Sequence, residues 1–180
     1  MIQERYNLVS KDLYTFKFPF HASKMDNEKL SAFLLNTYFN YKFSADNNYN
    51  DIIINEHDNN VNWVEIYIKE KINSINSKLP LDPINRLAQI NGHLESSYKR
   101  NHVNLYNYKM SPHYTSIYVV KGTGKLIIEC PDYKQEDSYM LLNMKPGNIY
   151  VFNSDLNYFT DKNYDKNVNR QLLITNYERI

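Results

Sequence analysis

The chain has 180 residues, a formal net charge of +1, 42% hydrophobic residues and a mean hydropathy of −0.64. That length predicts one domain with a real core; the interspersed charges argue against a nucleic-acid surface, and no run has the apolar length of a membrane span. Cys130 is the single cysteine, which excludes an intrachain disulfide and points to a reducing, cytoplasmic compartment.

Much of the apolar content is aromatic, with 17 Tyr, 8 Phe and 1 Trp; such side chains suit strands and interfaces alike. The opening Met1-Ile2-Gln3-Glu4-Arg5 lacks the apolar run of a signal peptide. Lysine far outnumbers arginine, and Asn, Ile and Tyr abound. These residues have AT-rich codons, and a phage or other virus is one such source.

Asp26-Asn27-Glu28 offers cap chemistry for a helix that carries Leu30, Phe33, Leu34 and Tyr38 on one face. The Ser44–Asn50 loop then breaks the pattern. Val61, Val64, Ile68, Ile72, Ile75 and Leu79 recur at three- and four-residue spacing, which predicts an amphipathic helix from about 60 to 78, ended by Pro80 and Pro83. All four glycines come later, at Gly92, Gly122, Gly124 and Gly147, so residues 1–85 read as a helical lead-in rather than as tight hairpins. From Ile90 onward the period shifts toward two, with His102, Asn104, Tyr106 and Tyr108 on one face of a strand.

The remainder reads as short strands: Ser116–Lys121, the hairpin loop Gly122-Thr123-Gly124, Lys125–Glu129, a charged loop, the turn Pro146-Gly147 leading into Asn148–Phe152, and Arg170–Tyr177. The expected class is α+β, a single domain whose core of about eight strands fills 86–180, with the helices packed outside.

Tyr118-Val119-Val120-Lys121-Gly122 and Pro146-Gly147-Asn148-Ile149-Tyr150-Val151-Phe152 resemble the two strand motifs of the double-stranded β-helix in cupins and 2-oxoglutarate/Fe(II) oxygenases, over roughly residues 85–180. The resemblance implies a metal site of two histidines and a carboxylate, and an arginine or lysine for the cosubstrate carboxylate. It places Thr115 where a cupin has its glutamate, and Tyr106 and Tyr108 near the histidine pair. Tyr158 takes the late ligand position, or Asn157 under a one-residue shift, and Arg170 the cosubstrate position. With Tyr118 on the first motif, Tyr158 and Arg170 are the candidate cofactor-binding residues.

No histidine follows His113. His102-Val103-Asn104 has the spacing of His-x-Asp without the charge, and His93-Leu94-Glu95 has the chemistry but falls early. His113 follows Pro112 in an expected loop. His93, Glu95, His102 and His113 are therefore the candidate metal ligands if iron is bound. Arg170 has a rival reading as a surface partner of Asp161 or Asp165. The leading expectation is a catalytically degenerate oxygenase-like or cupin-like domain, without cofactor. It would act as a structural or protein-binding module in a homo-oligomer or viral assembly. Two alternatives stand beside it: an Fe(II)/2-oxoglutarate dioxygenase with unusual ligands, and a metal-free cupin that binds a small carboxylate through Arg170 and tyrosine hydroxyls.

Overall fold

A computed structural model of the chain describes residues 4–8, 11–22, 24–42, 51–75, 81–100, 113–129 and 139–179. The elements in chain order are β1 (Glu4–Leu8), β2 (Lys11–Lys17), α1 (Asn27–Lys42), β3 (Asp51–Ile53), α2 (Asn59–Ile75) and β4 (Leu81–Asn91). Then follow β5 (Tyr114–Lys121), β6 (Gly124–Glu129), β7 (Tyr139–Met144), β8 (Asn148–Asn153), β9 (Tyr158–Thr160) and β10 (Arg170–Arg179).

Both helices start where side-chain oxygens can accept their free N–H groups. Asp26 Oδ1 accepts from the backbone N–H of Glu28 and Lys29, and Asp58 Oδ1 from Asn60 and Val61. The expected stripes face inward, with Leu30, Leu34 and Tyr38 of α1 and Val61, Val64, Ile68 and Ile72 of α2 all buried. No helix among the described residues is long and apolar enough to cross a membrane.

The strands pair antiparallel in two sheets: a large one ordered β1-β2-β8-β5-β10-β4-β3 and a small one ordered β7-β6-β9. Side chains alternate across a strand, and here each face of the large sheet has its own core. Tyr118 and Val120 of β5 and Leu173 and Tyr177 of β10 pack beneath the helices. Ile117 and Val119 of β5 and Leu172 and Ile174 of β10 point the other way. There they meet Leu126 and Ile128 of β6, Phe152 of β8 and Tyr158 of β9. The two sheets thus close on an apolar interior, with the helices outside the large sheet, as a double-stranded β-helix requires.

Three features depart from the sequence reading. The lead-in is only partly helical: β1, β2 and β3 belong to the large sheet, and β2 pairs with β8 through contacts such as Leu13↔Phe152. Its partner lies far along the chain, so no local pattern announces it. Pro83 does not end α2 but sits within β4, where the pairing with β10 slips at Asn176/Tyr177; a bulge is where a strand tolerates proline. The segment read as a charged loop contains β7, whose Leu142 and Met144 turn inward. Leu79, Pro80, Cys130 and the strand expected through Tyr106 and Tyr108 lie outside the described residues.

Candidate functional site

Arg170 opens β10 and is fully buried. Its Nη1 donates to Asp161 Oδ1 at 2.9 Å and to the Thr123 carbonyl at 3.5 Å. Nη2 donates to Thr160 Oγ1 at 2.8 Å, to the Asp161 carbonyl at 2.5 Å and to Asn91 Oδ1 at 3.2 Å, while Nε reaches the same Asn91 oxygen at 3.3 Å. A guanidinium has five N–H donors in a planar fork, and here all three nitrogens are engaged within the chain. Burial pulls the Arg170 pKa below its ordinary value, and the Asp161 carboxylate acts in the opposite direction.

The contact joins the start of β10, the end of β4, the segment after β9 and the β5–β6 hairpin. The hairpin comes this close because it is built from glycine. A Cβ on Gly122, whose φ is +81°, would lie 2.8 Å from Arg170 Cα, and one on Gly124 would collide with Arg170 Nη1 and Asp161 Oδ1. Of the two surface partners expected for Arg170, Asp161 is therefore the one used, but in a buried contact. Asp165 instead caps its own turn, accepting from Asn167 and Val168.

Tyr158 stands at the start of β9, on the same strand as Thr160, and both side chains are buried. Its ring packs edge-on to Phe152 at 5.2 Å, within the apolar interior. Tyr118 faces the other way: its hydroxyl donates to Asn27 Oδ1 of α1 at 2.8 Å, and burial drives its pKa strongly up. So Tyr118 lies on the opposite face of the sheet from Tyr158 and Arg170. Thr115, at the cupin glutamate position, is bonded to Asn176 Oδ1 at 2.7 Å and to the Ser154 hydroxyl at 2.9 Å, and Asn176 Nδ2 donates to Asn85 at 2.6 Å. This end of the interior is an uncharged hydroxyl and amide network.

The structure does not bring the described metal-ligand candidates together. His93 is exposed just past β4, and the Glu95 carboxylate accepts the Gly92 N–H at 2.6 Å, stabilising its own turn. His113 is exposed beside Tyr177, whose carbonyl accepts its backbone N–H. Asn91 pairs with Arg170 at the other end of β10, so the two histidines are separated by about 23 Å of strand. His102 lies outside the described residues. Among the described residues no group of three or more His, Cys, Asp or Glu could hold a metal ion. The iron triad is thus not formed among the described residues, and the Arg170 fork is already engaged within the chain.

Sequence reasoning did not find Asn91, Thr160 or Thr123, because their roles depend on pairing across long separations. Two buried polar atoms on this face of β4, Gln89 Oε1 and Asn91 Nδ2, have no hydrogen-bond partner among the described residues.

No family model and no curated protein matches the sequence. Solved structures do match the fold. A prolyl-4-hydroxylase of Pseudomonas putida has a TM-score of 0.60 at 9% identity, covering 96% of this chain and 95% of that one. The viral collagen prolyl hydroxylase of Paramecium bursaria chlorella virus-1 gives 0.61 at 9% identity, covering 93% and 96%. The non-heme monooxygenase ThoJ gives 0.63 at 9% identity, covering 85% and 68%. With the sheet order and the two-faced core described above, these neighbours show that the chain has the double-stranded β-helix fold of the 2-oxoglutarate/Fe(II) oxygenases.

Proposed function

We propose that this chain is a non-catalytic member of that fold, a scaffold that acts by binding other protein subunits. The observation that carries the reading is Arg170: the residue at the cosubstrate position spends its donors on Asp161, Thr160, Asn91 and Thr123. Tyr158 at the late ligand position supports it, because its ring fills the interior against Phe152. A fold separates readily from its chemistry, and here the interior carries Leu126, Ile128, Phe152, Leu172 and Ile174 beside Tyr158. The exposed aromatic side chains suit protein contacts, in a homo-oligomer or, given the AT-rich coding, in a phage or viral assembly.

One observation favours a second reading, a metal-free pocket for a small carboxylate. Asn91 Nδ2 is a buried amide donor beside Arg170 with no acceptor among the described residues. One experiment separates these readings from an active dioxygenase: measure the iron content of protein purified without chelators, then titrate 2-oxoglutarate by calorimetry with and without Fe(II). The scaffold reading expects neither metal nor cosubstrate binding. Binding of 2-oxoglutarate without metal would establish the pocket instead, and stoichiometric iron with turnover would overturn both.

A further inference from the structure

We propose that a cleft between β2 and α2, outside the barrel, binds an arginine side chain presented by a partner protein. The cleft has a volume of about 350 Å³ and is walled by Phe18, Pro19, Trp63 and Tyr67, with Lys24 and Glu70 as its charged groups. Trp63 is the chain's only tryptophan and is 37% exposed. Tyr67 is fixed in place: its hydroxyl donates to the Lys17 carbonyl at 3.0 Å, and its ring meets Phe18 edge-on at 5.0 Å.

The ring faces already act as platforms for cations. Lys24 Nζ lies 5.9 Å from the Trp63 centroid, and Lys71 Nζ lies 5.4 Å from that of Tyr67. The Lys24 ammonium is at the outer limit of a cation–π contact and is exposed, so an incoming group can displace it at little cost. Glu70 makes no ion pair or hydrogen bond among the described residues, and it is the acidic wall of a cleft whose other walls are mostly aromatic. An aromatic platform beside an uncommitted carboxylate suits a guanidinium better than an ammonium. The guanidinium is planar and more weakly hydrated, stacks on indole, and can bond a carboxylate through two N–H groups at once. This inference rests on the scaffold reading in that it names one of its contacts. Its test follows Trp63, which iron and 2-oxoglutarate do not report, so either can fail alone.

The test is a titration of Trp63 fluorescence with the capped tripeptide acetyl-Gly-Arg-Gly-amide and with its uncharged citrulline counterpart. The arginine peptide is expected to give a saturable change with a Kd of about 1 mM, the scale for a ligand of this size, and the citrulline peptide none. Glu70→Gln should weaken binding about threefold, and Lys24→Met should tighten it by a similar factor, the scale of one exposed cation–π or ion-pair contact. Both positions are exposed, so the fold tolerates the changes. Equal binding of the two peptides, no saturation, or shifts of the same sign in both variants would overturn the proposal. So would tighter binding of free arginine than of the capped peptide, which would mark a small-molecule site instead.

Discussion

Replacing Arg170 by Met tests whether this residue clasps the barrel or is held in reserve for a ligand. Methionine keeps much of the apolar stem but removes every donor. Asn91 Oδ1 and the Thr123 and Asp161 carbonyls then lose the guanidinium, while Thr160 Oγ1 keeps the Ser97 N–H and Asp161 Oδ1 keeps the Lys125 N–H. Breaking a buried pair from one side costs about 3–5 kcal/mol, because the remaining groups stay desolvated. The Asp161 side chain is 27% exposed and can recover some hydration, which favours the lower end, about 3 kcal/mol. For a domain of this size each kcal/mol lowers Tm by about 2–4 °C, so a fall of roughly 6–12 °C is expected. Urea unfolding followed by circular dichroism and Trp63 fluorescence measures the loss directly. Arg170→Lys should recover little, since an ammonium cannot reproduce the planar fork. A loss below about 0.5 kcal/mol, the range of ordinary surface changes, would refute the clasp.

Two further outcomes follow from the same packing. Gly124→Ala should destabilise the protein by about 1–3 kcal/mol, as overpacking does, because its Cβ meets Arg170 and Asp161; its effect should shrink in the Arg170→Met background, which a double-mutant cycle would detect. At alkaline pH, the buried hydroxyls of Tyr118 and Tyr177 have pKa values pushed well above the ordinary 10.0, chiefly by burial. An acid with a raised folded pKa lends full stability below its unfolded value and loses it as pH climbs beyond. Stability should therefore fall above about pH 10, by up to about 1.4 kcal/mol per pH unit for each tyrosine. Ultraviolet titration should show two tyrosines ionising only with unfolding; ionisation of all tyrosines in the folded state would contradict this.

The sequence displayed the strands around Tyr118, Ile149 and Leu173 because turn chemistry brackets them. Pro146-Gly147 is a tight turn in which Asn148 N–H reaches the Lys145 carbonyl and Gly147 adopts a φ of +86°. The pattern could not assign faces on β5, where Tyr114 through Val120 are all buried. Alternation groups Tyr118 with Val120 but cannot say that α1, rather than the small sheet, covers them. Arg170 was legible as a position and Tyr158 as a substitution for a ligand. What Arg170 touches was not: Asn91 is 79 residues away, and only the pairing of β10 with β4 brings it alongside.

The placement of β10 also bears on how the chain reaches its folded state. The latest strand in chain order lies between β5 and β4 in the large sheet, so the sheet has a gap until residues 170–179 have been made. Before then β4 and β5 each present an unpaired edge, a state prone to association with other chains. Pairings of such high sequence separation also close slowly. Synthesis of β10, rather than of the helices, should therefore time the closure of the large sheet.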